Sequence, residues 1–292
     1  MSEIMQFLER AFPPLILVFT LANLGAMGLQ VKMPGVIAQL KNKKILALIV
    51  VWGWVLRPAV VYLIAWVLPM SNHYVTALLL LSLAPCAPFI PVMVGKARGD
   101  VSFAAALIPI VAVATVVFMP LMGPLLIKGL TVSAWELTKA LLIYVLAPLA
   151  LGAAVRRYAE TVATKIIPAV MVIAKITTLL VGVTGAVIYA RAMLGTLGSF
   201  GFLSMTVFMV VMGLIAYRFG FGLGQNQRSV MSLGMLTSNV SVVMIVAIAI
   251  PDADPALLTF IIMYTIASIP FAAIVARILG KQAGETVAGD TA

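Results

Sequence analysis

The chain has 292 residues, 63% of them hydrophobic and only 10% charged, with a mean hydropathy of +1.18. That composition excludes a soluble domain and identifies an all-α polytopic membrane protein embedded in a lipid bilayer. One cysteine, Cys86, and one histidine, His73, exclude an intramolecular disulfide and point to no metal or other cofactor; the formal charge of +10 is not gathered into one basic domain, so no nucleic-acid partner is expected.

In chain order, apolar segments long enough to span a bilayer fall at about 12–31, 45–69, 74–95, 101–127, 135–155, 166–190, 196–217, 228–250 and 255–276, which predicts about nine transmembrane helices. The connections are short, so residues 1–280 read as a single integral membrane domain. The N-terminal "MSEIMQFLERAFPP" lacks the basic start of a secretory signal and is expected to be retained. The C-terminal residues 281–292, "KQAGETVAGDTA", are small and polar and are expected to form a disordered tail.

The basic residues sort by loop. Lys32, Lys41, Lys43, Lys44, Lys96, Arg98, Arg156, Arg157, Lys165, Arg218, Arg228, Arg277 and Lys281 fall on one set of alternate loops and the C-terminus; Arg10, Lys128, Lys139 and Arg191 fall on the other. By the positive-inside rule the richer side is cytoplasmic, which places the N-terminus outside and the C-terminus inside a cell membrane, inner or plasma.

The third segment contains Pro85, Pro88 and Pro91 in "APCAPFIPVMVGKARGD". Each removes a backbone donor and clashes with the preceding turn, so a regular helix cannot run through them. Prolines kink many membrane helices that bind nothing. Here, however, "LLLLSLAPCAPFIPVMVGKARGDVSFAAALIPI" and "VMSLGMLTSNVSVVMIVAIAIPDADPALLTFII" share one plan of apolar run, irregular centre, apolar exit and charged turn, and enter from opposite sides. Paired interrupted helices in inverted repeats are the pattern of secondary transporters, whose binding sites lie where the breaks meet. Pro88 and the polar run Thr237, Ser238 and Asn239 are the candidate site residues at those breaks. Thr115, Thr177, Thr178 and Thr184 are weaker candidates that suit helix packing, and the glycines of "RFGFGLGQNQR" follow no strand and do not form a dinucleotide site.

No acidic residue lies in the middle of a span, but two cations do. Arg57 is central in 45–69, directly before Pro58, and Lys175 lies near the middle of 166–190. A charge at mid-bilayer costs at least ~2.5–3.5 kcal/mol and calls for a partner or a function. Both side chains can snorkel or bind carbonyls freed by nearby prolines. The functional alternatives are that one or both hold an anionic substrate, or supply a fixed positive charge in place of a coupling ion. Either role favours a small organic anion as cargo.

The segments "FPPLILVFTLANLGAMGLQVK", "LRPAVVYLIAWVL", "LAPCAPFIPVMVGKARGDVSFAAAL" and "SLGMLTSNVSVVM" resemble, in order and spacing, the bile acid:sodium symporter family. "ARGD" after a proline-rich break is similar to that family's "ARGN", and "LGM" to part of its "EVGMQNS". The resemblance implies the nine-helix form of the fold, with a core bundle at about 45–127 and 196–276 containing two broken crossing helices, and a panel at about 12–31 and 135–190 that rocks against it. It also exposes departures. The family's sodium-binding glutamate falls on Ser232, the following glutamine and asparagine on Leu236 and Thr237, the Ser-Asn pair of the first break on Ile90 and Pro91, and a core glutamine on Gly53. Sodium prefers oxygen ligands, carboxylate above all, so the resemblance does not bring sodium coupling with it; the coupling ion, H+ or Na+, stays open.

The sequence is therefore read as a secondary transporter moving a small organic anion by alternating access. Its candidate substrate-binding residues are Arg57, Lys175, Pro88, Thr237, Ser238 and Asn239. An efflux carrier of the auxin-carrier or arsenite type and a non-transporting membrane receptor are the alternatives. No nucleophile with a base, and no acid–base pair, lies within the spans, so an enzyme is not expected.

Overall fold

The computed structural model describes residues 3–127, 132–196, 198–251 and 254–289, and within them the chain is helical. Apolar runs in a bilayer must satisfy their backbone internally, and helices do so. α1 (Glu3–Leu29) carries Pro13 and Pro14 inside it and begins well before the apolar run expected from 12. α2 (Met33–Lys41) is a short connector. α3 (Lys43–Val50), whose first turn is capped by the Asn42 side chain accepting the Ile45 N–H at 3.2 Å, passes through a π-helical turn at Val51–Leu56 into α4 (Arg57–Val67). Pro58 causes that widening: its ring clashes with the carbonyl four residues back, and an i→i+5 turn moves the carbonyl aside.

The next passage is interrupted, as the three prolines require: α5 (Asn72–Ser82) stops and α6 (Ile90–Lys96) restarts. α7 (Val101–Leu126) begins on Asp100, whose carboxylate accepts the Phe103 N–H at 2.8 Å. α8 (Ala134–Leu141) opens with a capping box between Ser133 and Glu136, and a second π-helical turn, Leu142–Leu146, leads into α9 (Ala147–Tyr158) ahead of Pro148. α10 (Glu160–Ile188) and the short α11 (Ala190–Thr196) follow, then α12 (Gly201–Arg218). α13 (Gln225–Leu236) and α14 (Val240–Ala249) form the second interrupted passage, and α15 (Pro255–Gly289) ends the chain. Seven continuous helices are long and apolar enough to cross a membrane. With the two interrupted ones, the described residues contain the nine passages read from the sequence. The final helix continues to Gly289, whereas the polar composition from 281 onward suggested a disordered tail; a helix already propagating from an apolar span needs no new nucleus to take in Lys281, Gln282 and Ala283.

The charge-rich loops meet at one end of the bundle. Lys32, Arg156 and Arg157 line one hollow, Lys44 lies against Gly222, Arg98 lies against Gly284, and the Asp100 N–H donates to Asn226 O at 3.3 Å. At the other end His73 and Asp254 are 3.2 Å apart. This segregation matches the alternation that the Lys and Arg count requires of a multi-pass protein. Single cysteines introduced at Lys41 and Arg157 are expected to label from the cytoplasmic side and one at Ser71 from outside. Labelling of all three from one side would overturn the topology.

α1 packs along α9 and α10, and α1 and α9 touch backbone to backbone. A Cβ on Gly152 would stand 2.6 Å from the carbonyl oxygen of Gly25, and one on Gly28 would strike the carbonyl oxygen of Leu149. Small residues allow this close approach, in which dispersion contacts and lipid exclusion hold membrane helices together.

Candidate functional site

The two interruptions cross. Around Pro85 and Ser238 the extended segments pair antiparallel: the Cys86 N–H donates to Gly234 O at 3.0 Å and Thr237 O at 3.2 Å, and the Asn239 N–H donates to Ala84 O at 2.7 Å. The prolines divide the work of the first break. Pro85 sits in the crossing, Pro88 lies in the connection, and Pro91 occupies the first turn of α6, where a missing N–H leaves no bond unmade. Cys86 turns the chain with φ of 67°.

Arg57 lies beneath the crossing, fully buried. Its Nε donates to Ser82 O at 2.8 Å; Nη1 donates to Met235 O and, at 3.1 Å, to Thr237 O; Nη2 donates to Leu81 O and Ser238 Oγ, both at 2.7 Å. The guanidinium also stands 4.9 Å from the centre of the Phe208 ring. A guanidinium has five N–H donors, and all five have acceptors here. Four of these are carbonyls at the C-terminal ends of α5 and α13. Each helix C-terminus carries about half a negative elementary charge, so two of them together offset about one positive charge without a carboxylate.

The hydroxyls around Arg57 are likewise occupied. Ser238 Oγ donates to the Tyr264 hydroxyl at 3.1 Å, which donates to Leu236 O at 3.0 Å. Thr237 Oγ1 donates to Leu233 O at 2.8 Å and accepts the Ala87 N–H at 3.3 Å. Ser232 Oγ donates to Gly213 O at 2.9 Å.

Beside the crossing lies a cleft of about 1000 Å³ between α1 and α10 on one side and α7, α14, α15 and the first break on the other. Its walls are mainly apolar, with Phe19, Met27, Phe89, Ile108 and Met171 among them. Lys175 opens into it from α10, exposed to the cleft, with no hydrogen bond or ion pair to any described residue. Thr178, one turn on, accepts from Asn23 Nδ2 at 3.3 Å. Across the cleft are Pro88, Ser238 and Ser241. Among the described residues two buried side-chain polar atoms lack partners, Ser241 Oγ and Asn239 Oδ1, both at the start of α14. Toward the basic end, the cleft shares Gln30, Lys32 and Arg156 with the smaller hollow.

A model of the sodium bile acid symporter family matches residues 15–196, from α1 through α11. The chain belongs to the sodium bile acid symporter family. No curated protein matches it. Membership makes the chain a multi-pass, symporter-type membrane transporter, and it gives the crossing helices the context of a transport protein. The matched residues include Arg57 and Lys175; the second break lies beyond them.

Of the six expected site residues, Lys175, Pro88 and Ser238 line the cleft, whereas Thr237 and Asn239 are buried behind it and Arg57 is absent from its walls. The expectation that Arg57 faces a substrate does not fit this geometry, because every one of its N–H groups is already engaged by the crossing. The sequence reading missed Tyr264 and Ser241. Tyr264 is the one phenol in the largely apolar "FIIMYTIASIP", a signal that was available. Nothing in the sequence separates Ser241 from the hydroxyls that pack between spans.

Proposed function

We propose that the protein is an organic-anion carrier that works by alternating access, with a core of α3–α7 and α12–α15 moving against a panel of α1 and α8–α10. The observation that carries this reading is Lys175, an ammonium with no partner among the described residues, opening into a large apolar cleft between the two groups of helices. An intramembrane charge without a partner costs several kcal/mol unless it faces water or a ligand. Apolar walls with one cation suit an amphipathic carboxylate or sulfonate: the walls take the hydrocarbon, Lys175 takes the charge, and the unpartnered hydroxyl of Ser241 at the positive end of α14 supplies a second polar contact.

Counterflow tests the reading. Proteoliposomes preloaded with an unlabelled amphipathic carboxylate are expected to take up the labelled compound transiently above equilibrium. Binding without counterflow would make the protein a receptor rather than a carrier.

A further inference from the structure

We propose that the guanidinium of Arg57 is the resident cation of the helix crossing, standing where a carrier of this build takes free coupling cations, so that its cycle uses no sodium gradient. The inference rests on the carrier reading only for the word cycle; the cation site itself stands on geometry. Discontinuous helices in transporters present the carbonyls of their half-helix C-termini to sodium ions or protons. In this protein, Leu81, Ser82, Met235 and Thr237 present theirs, together with Ser238 Oγ, and the five oxygens close around one guanidinium.

A free sodium ion does not fit alongside it. Each of the five oxygens already accepts one bond from the guanidinium, whose charge repels a second cation at the same place. The described residues offer no group of acidic side chains that could hold a metal ion elsewhere. Arginine also gives what sodium gives structurally, because it joins α5 to α13 across the crossing with a cation–π contact to Phe208 on α12 behind it. The difference is that it is attached to α4 and never dissociates.

The guanidinium arm of the test needs no knowledge of the substrate, and the sodium arm uses an amphipathic carboxylate as the anion probe. Exchanging sodium for potassium at equal ionic strength is expected to leave the melting behaviour of the unsubstituted protein unchanged, and to change anion affinity by less than about twofold. Arg57→Ala removes the guanidinium and leaves the oxygens, so it should be unstable and regain stability on addition of millimolar guanidinium or methylguanidinium, a ligand that binds only the folded state. Arg57→Met fills the volume with an apolar chain and should show no such rescue. Sodium that tightens anion binding by tenfold or more in the unsubstituted protein overturns the proposal. So does an Arg57→Ala protein that folds and ignores guanidinium. If Arg57→Ala yields no folded protein, the sodium comparison on the unsubstituted chain decides alone. Failure of counterflow would remove the carrier reading while leaving the guanidinium rescue intact, so the two failures are distinguishable.

Discussion

Lys175→Gln is expected to weaken binding of an amphipathic carboxylate by about tenfold to a hundredfold, and Lys175→Glu to abolish it. The first figure follows from losing one hydrogen bond to a charged group, about 1.5–3 kcal/mol. The second adds repulsion of a carboxylate by a carboxylate in a cleft with few polar groups. Lys175→Arg should keep most of the affinity, since a second cation occupies the same wall. Thermal stability should hardly change in any of the three, because Lys175 bonds to no described residue and its removal leaves no carbonyl or acid without a partner. Equilibrium binding, read by thermal shift or a labelled ligand, checks the series. Unchanged affinity in Lys175→Glu would exclude Lys175 from the substrate site.

Gly152→Val is expected to be among the most damaging single substitutions in the chain. Its new carbons meet Gly25 O and Leu29 N, both backbone atoms that cannot swing aside. Overpacking a tight contact costs about 1–3 kcal/mol when side chains can yield. With backbone on both sides the cost should reach or exceed the top of that range, visible as loss of folded protein in detergent. Gly25→Ala, where a Cβ meets nothing within 4 Å, is the matched control on the facing helix and should be neutral or slightly stabilising, since alanine loses less backbone freedom in a helix than glycine does. If both substitutions behaved alike, α1 and α9 would not pack as closely as their backbones indicate.

Much of the fold was legible because a bilayer makes length and hydropathy nearly sufficient. The breaks were legible because Pro85, Pro88 and Pro91 cannot continue a helix, and because "LTSNVS" interrupts an apolar run with four polar residues. Lys175 was legible for the same reason, as a charge in a span with no acid to meet it. Arg57 carried the identical signal, yet the two cations sit in opposite surroundings. What separates them is the supply of backbone oxygen. Arg57's partners are mostly main-chain carbonyls of Leu81, Ser82, Met235 and Thr237, and no side-chain identity records that a carbonyl has been freed by a helix end. Lys175 lies within an unbroken stretch of α10, where the carbonyls are committed to the helix. Tests of residues that end helices should therefore look first for cations nearby, and those beside a continuous helix for ligands.

The attachment of the positive charge to α4 has an electrical meaning. A symporter that carries more than one cation with each monoanion moves net positive charge inward, and an inside-negative voltage helps to fill the cell. When the cation is Arg57 it stays with the protein in every turnover, and if no proton travels with the cargo, the only charge delivered across the membrane is the cargo's own. A potential of 100 mV acts on one elementary charge with about 2.3 kcal/mol, which is about fifty-fold in the distribution of a monoanion. For a monoanion carrier working in that way the force points outward, so the resting voltage that would load a cation-coupled carrier would instead drain the anion from the cell.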